Sequence, residues 1–305
     1  PPVAQDARSP SITVTPLGAT EPHILGVLPP EVTGLPSDLW SGSDIGSLAS
    51  LIRAEPAETL PALQELLVTL MLAEAEPAQN GTGREMLLLR VDKLLDMGAL
   101  EAARSLLESG NLLDQELFRR WFDVTLLTGT EHDACAILRS QPALAPTLPA
   151  RVFCLARNGD WNAAVLTLNT ARALGDVTPD EEALLARFLD PELAGLEEGP
   201  LPASRSSPLV YRLRDAVGDL IPTTGLPLAF SHADLRDTVA WRAQIEAAER
   251  LARNGALSEN VLLEAYTARA PAASGGVWDR AAAVQRLDGA IKAGAAAEVA
   301  DALPK

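Results

Sequence analysis

Aromatic residues are scarce in this 305-residue chain, at 4%. Ile, Tyr and Phe are all uncommon, while Ala and Leu dominate. That balance disfavours a sheet and favours helices. Positive charge is also short, with 25 Lys and Arg against 41 Asp and Glu, for a net charge of −16. Such a surface repels phosphate backbones and anionic headgroups, so no nucleic-acid partner is expected. Long apolar runs are missing too. The longest, "LLVTLMLA" at 66–73, falls well below the ~18 residues of a membrane helix, so no membrane insertion is expected. The two cysteines lack partner ligands, and His23, His132 and His232 lie on separate segments, which speaks against a metal site. No Gly-rich phosphate loop, nucleophile elbow or HExxH occurs, so neither a cofactor nor catalytic residues are expected.

Proline is plentiful, and its placement divides the chain. Residues 1–42 carry eight prolines and show no helical period. Yet "SITV", "HILGVL" and "DLW" are apolar, unlike a typical disordered tail. The segment reads as an extended arm that places Ile12, Val14, Leu17, Ile24, Leu28 and Trp40 against helices of its own or a neighbouring chain. Ile24, Leu28 and Trp40 are the main candidates for groove contacts; a loose tail is the alternative.

From Ser41 the pattern becomes helical. "SGSDIGSLASLIRAE" opens with cap-type serines and sets Ile45, Leu48, Leu51 and Ile52 on one face. Pro61 falls in a first turn, and Thr178-Pro179 reads as an N-cap followed by the first helical position. Helices of about 10 to 16 residues with short connections favour antiparallel neighbours. The divisions expected are an arm at 1–42, helical repeats at 43–196, a linker at 197–206 and a helical region at 207–305 that continues the repeats.

A recurring pattern runs through the middle. "LLDMGALEAARSLL", "LLTGTEHDACAIL" and "LARNGDWNAAVLTL" place alanines (Ala103, Ala134, Ala164) five residues after Gly98, Gly129 and Gly159. "LARNGALSENVLL" at Gly255 is a fainter copy. Each glycine is expected to cap one helix in the left-handed conformation and act as a hairpin hinge. Each alanine marks a close helix–helix approach. Leu100 and Trp161, two after their glycines, are expected to cover the turn. The glycine spacing, about 30 residues, is that of a solenoid of stacked helix pairs. "GDWNAA" and "GALEAA" resemble the Gly-Asp-Tyr-Glu-Glu-Ala turn of tetratricopeptide (TPR) repeats, over roughly residues 84 to 175. The resemblance implies an all-α, TPR-like α-solenoid with a period shorter than the family's ~34. A generic helical bundle is the alternative.

Cys135 and Cys154 flank the Pro-rich turn "SQPALAPTL" at similar distances. In an antiparallel hairpin they would stand at the same height and could bridge. Two buried thiols are the other reading. The even cysteine count, rare lysine and a Pro/Ser/Thr-rich start without methionine lean towards export to the periplasm, with a signal peptide removed. A trimmed, cytoplasmic chain is the alternative.

Trp121, Trp161, Trp241 and Trp278 all lie in helical contexts and read as core. In "PAASGGVWDR", Ser274 is expected near an N-cap and Trp278 against the preceding helix or at a partner-binding corner. The expected role is a non-enzymatic interaction scaffold or adaptor for a protein or extended-peptide partner. It would serve an envelope assembly such as a secretion system, pilus or flagellar motor, with self-association a further option. The rival is a cell-wall glycan hydrolase, or its helical accessory domain.

Overall fold

In the computed structural model, residues 24–190 and 207–303 are described. Ile12, Val14, Leu17 and the linker at 197–206 lie outside them. The chain is all-helical; among the described residues strands are absent and only isolated β-bridges occur. The helices are α1 (Pro30–Thr33), α2 (Ile45–Ala54), α3 (Pro61–Leu72), α4 (Gly83–Asp96), α5 (Leu100–Glu108), α6 (Gln115–Thr128), α7 (Glu131–Ser140), α8 (Leu148–Arg157), α9 (Trp161–Leu174) and α10 (Pro179–Leu189). Then come α11 (Pro208–Ala216), α12 (Trp241–Arg253), α13 (Glu259–Thr267), α14 (Val277–Lys292) and α15 (Ala296–Ala302). A 3-10 segment, Leu228–Leu235, lies between α11 and α12.

Local chemistry sets the helix starts. Thr82 with Glu85, and Thr178 with Glu181, form reciprocal capping boxes that satisfy two orphan amides each. Pro61 and Pro179 sit in the first turns of α3 and α10. The α2 cap is Asp44 rather than a serine; its carboxylate accepts from the Gly46 and Ser47 amides at 3.0 and 3.3 Å. Ionised Asp is the stronger acceptor at a helix N-terminus. Leu51, expected on the buried face, is 65% exposed, because α2 buries only Leu48, Ala49 and Ile52. Ser274 is not the cap of α14: Gly276 holds that position, and the Gly275 amide donates to Asp279 at 2.9 Å.

One helix ending recurs along the chain. Gly98, Gly129, Gly159 and Gly255 have φ of 71, 82, 86 and 60°. Past each, an amide reaches back to a carbonyl five residues earlier: Ala99 to Leu94, Thr130 to Thr125, Asp160 to Leu155 and Ala256 to Leu251, at 2.9 to 3.0 Å. This is the Schellman ending, which relieves two orphan carbonyls and requires the left-handed glycine. Gly175, Gly218 and Gly294 end their helices the same way, with φ of 73, 79 and 66° and Asp176 bonded to Ala171, Asp219 to Arg214 and Ala295 to Ala290 at 2.9 to 3.0 Å. The helices on either side of each of the first four glycines pack together, and Ala103, Ala134 and Ala164 are wholly buried.

Residues 24–42, the described part of the segment expected as an arm, run beside residues 72–79. Val27 and Leu28 amides donate to Leu72 O at 2.8 and 3.0 Å, and Glu74 donates to Leu28 O at 2.9 Å. Gly26 lies so close that a Cβ there would stand 2.5 Å from Ala73 O. Trp40 is in the main core and Leu28 is half-buried. Ile24 is not pinned, being 45% exposed. Leu25 makes the backbone bridge to Ala75 and packs inward in its place. The arm is also not helix-free: Pro30–Thr33 makes one turn, with Pro30 tolerated at the first position.

The main core runs from Trp40 to Ala233. A second, smaller cluster joins Trp241, Ile245, Tyr266, Val277 and Ala281. Residues 208–236 do not simply add another hairpin. They fold back, α11 against α6 and α10, the 3-10 segment against α4 and α6. Nonlocal contacts secure them: Leu228 lies over Gly98, and His232 Nε2 meets Gly98 O at 2.8 Å.

Candidate partner-binding cleft

The fold-back leaves an open cleft of about 980 Å³ beside the hairpin turns. One side comes from the α6–α7 turn and the end of α8, through Gly129, Glu131 and Arg157. The facing side comes from α11, residues 220–224, the 3-10 segment and α12. Its walls are of two kinds. Leu220, Ile221, Pro222, Val239 and Ala243 are apolar, and Leu220 is largely exposed. The remainder is an ion network.

Glu131 anchors that network. It is 2% exposed, and its Oε1 accepts from Arg157 Nη2 at 2.9 Å and Arg212 Nη2 at 2.7 Å. Arg212 also binds Asp215, which takes a second bond from Arg236 at 3.2 Å. Burial, the largest single influence, would raise the Glu131 carboxyl, but the hydrogen bond and charge of Arg212, with a backbone hydrogen bond and the charge of Arg157, together outweigh it and hold it below the usual range. Glu131 is therefore a buried carboxylate whose charge is matched by two guanidinium groups. Deeper in, Asp234 bonds Thr223, and burial raises its carboxyl. Arg250 donates to Thr223 O, Leu226 O and Ser231 Oγ at 2.8 to 2.9 Å, which fixes the loop that forms the apolar wall. The cleft therefore joins an apolar wall to a floor of compensated charges.

None of these residues stood out as a site in the sequence. One signal was present: two residues after the hinge glycines come Leu100, Glu131 and Trp161. Glu131 is an acid at a position otherwise apolar, yet it is buried. Arg212 and Arg236 offered no such signal, because they come from the segment that folds back.

Of the sequence-expected residues, Gly129 alone lines this cleft and the others fall elsewhere. Cys135 and Cys154 stand at disulfide distance across α7 and α8, with Cα atoms 4.9 Å apart. Asn158 Nδ2 braces the same pair of helices by donating to Cys135 O at 3.0 Å. Gly129 lines the cleft; Gly98 lies beneath Leu228, and Gly159 has open space around its Cα. Gly255 approaches Gln64. Trp121 and Trp241 are core. Trp278 packs on Trp241 at 5.1 Å between ring centroids, so it presents no free face there. Trp161 departs from the core expectation at 47% exposure, with the Phe188 ring tilted against it at 6.1 Å between ring centroids. Among the described residues no group of acidic, His or Cys side chains is arranged to hold a metal, and no helix is long and apolar enough to cross a membrane.

Comparison with protein-family models, with curated proteins and with solved structures finds no match to this chain.

Proposed function

We propose that this chain is a non-enzymatic interaction scaffold, a degenerate TPR-like α-solenoid that is exported and docks a protein or extended peptide in an envelope assembly. The cleft beside the hairpin turns carries this reading. It joins an apolar wall to a charge-compensated floor, the mixture found at the centre of protein interfaces, where net charge is depleted and Arg is enriched. Arg157 is exposed and commits Nη2 to Glu131, leaving other N–H groups for a partner's carbonyl or carboxylate. The repeated Schellman endings favour a hairpin array, and the paired cysteines favour an oxidising compartment.

A photoactivatable residue replacing Leu220, which is exposed at the cleft wall, tests the reading in the producing cells. The expected result is one discrete adduct, weakened by Arg157→Ala and absent when the same residue replaces the exposed Val32, far along the chain. An adduct with a second copy of the chain would identify the partner as itself. Labelling at Leu220 no stronger than at Val32 would remove the cleft as the docking site. Peptidoglycan turnover by purified protein, abolished by one Asp or Glu substitution, would replace the scaffold with a glycan hydrolase.

A further inference from the structure

The two cysteines of the cystine are not equivalently placed. Both are buried, at 0% and 2% exposure, but Cys154 is among the residues lining a second cavity of about 380 Å³ between α7, the turn at 142–145 and α8. Cys135 does not line that cavity. Thiol–disulfide exchange needs a thiolate to reach one sulfur, so access selects which one is attacked. The volume suits a small molecule, being at the lower end of the ~300–1,000 Å³ of ligand pockets. Arg139 and Arg151 line it, with one carboxylate, Asp160, whose Oδ1 caps the Ala163 amide at 3.3 Å. Both arginines are exposed. In a chain of net charge −16, this is a local reversal of sign that attracts an anion. Nearby cations also favour the thiolate over the thiol of an incoming reagent.

We infer that Cys154 is a site of reversible S-thiolation, at which a low-molecular-weight anionic thiol enters this cavity and opens the cystine. The thiolate attacks Cys154 Sγ, a new S–S bond forms there, and the Cys135–Cys154 bond breaks. Cys135 leaves as a thiolate and takes a proton from solvent. A second equivalent of thiol releases Cys154, so the cystine is reduced to two thiols and the reagent is oxidised to its own disulfide. Cys135 lies one turn from Glu131 on α7, and Cys154 one turn from Arg157 on α8. Opening the bond therefore loosens the brace beside the ion pair in the larger cleft.

The oxidised full chain is incubated with glutathione, 2-mercaptoethanol or cysteamine at matched thiolate concentration, then quenched in acid, alkylated and mapped by peptide mass spectrometry. The mixed disulfide is expected on Cys154 in about tenfold excess over Cys135. Rates should fall from the anionic to the neutral to the cationic thiol, by about threefold per step. In Arg139→Ala/Arg151→Ala that order should collapse while the neutral thiol's rate holds. If the double variant does not fold, the wild-type charge order still decides. The inference is overturned by an adduct on Cys135 or equally on both, by rates independent of charge, by opening only at the rate of global unfolding, or by opening with a protein dithiol alone.

Discussion

Two buried cations in this molecule, Arg90 and Lys93, bind backbone carbonyls of irregular segments. Arg90, 1% exposed, donates to Met71 O, Leu25 O and Ala73 O at 2.6 to 2.9 Å. It closes the junction between the arm and the end of α3, and burial lowers its guanidinium to about 10. Lys93 donates to Glu55 O and also pairs with Asp96 at 3.0 Å. An irregular segment has no ladder to satisfy its carbonyls, so one fork of donors replaces it. His232 follows this logic as a neutral group. Its Nε2 meets Gly98 O at 2.8 Å, and burial lowers its pKa to about 4. The unfolded chain then takes up the proton first as pH falls. The stability from neutral His232 is full above pH ~6.5 and is lost progressively down to about 4. The loss amounts to about 3 kcal/mol by the size of the shift, as an order of magnitude. Asp123 runs oppositely: burial raises it to about 6, so its charged form weakens the fold as pH rises through that range. Urea unfolding of wild type and His232→Gln at pH 7 and 4.5 isolates the histidine, because Asp123 is common to both. The variant should lose at least about 1 kcal/mol less than wild type between the two pH values. Equal losses would show that His232 is not buried neutral against Gly98.

At the scale of elements, the hinge glycines share a conformation but not an environment. A Cβ at Gly98 would meet Leu228 Cγ at 2.9 Å, whereas Gly159 has nothing within 4 Å. Both would bear the left-handed strain of about 1–2 kcal/mol. Only Gly98 would add overpacking of about 1–3 kcal/mol against the fold-back segment. Gly98→Ala should therefore cost about 3 kcal/mol and Gly159→Ala about 1 in chemical denaturation. Equal costs would mean that Leu228 does not rest on the first hinge. This contrast also marks where sequence stops being informative. Glycine followed five residues later by alanine is a local signal, as are Thr178-Pro179 and Pro61, because caps and hinges are decided within a turn of helix. That Leu228 and His232 return to Gly98 is decided by the surface left uncovered by α4 and α6, and no short pattern encodes it. The cleft was half visible for that reason. Glu131 breaks the apolar register of the repeat, but its partner Arg212 is 81 residues away.

Across the whole molecule, the smaller core around Trp241, Ile245 and Tyr266 is separate from the main one. A third, small apolar cluster of Leu228, Leu251 and Ala256 lies where α12 meets the 3-10 segment, with Arg250 reaching Thr223 O and Leu226 O. The smaller unit has its own polar lock. Glu249, 7% exposed, accepts from Tyr266 at 2.6 Å, from Arg280 at 2.6 and 2.9 Å, and from Arg253 at 3.0 Å. Burial would raise this carboxyl, but the bonds from Arg280 and Tyr266 hold it low; burial and the same carboxylate push Tyr266 up to about 12. Breaking a buried pair by removing one charge costs about 3–5 kcal/mol, because the other charge stays behind. Arg280 is half-exposed here, so water takes up part of that charge and about 2 kcal/mol is the expected cost. Although α12 packs along the 3-10 segment, the smaller unit has its own apolar core and polar lock, so it opens on its own before the larger core does. Hydrogen exchange in rising urea should therefore show amides of 241–292 losing protection first and those of 83–157 later. Glu249→Gln should move the first transition to lower urea and leave the second in place. A single coincident loss of protection, shifted as a whole by the variant, would show that the two cores unfold as one.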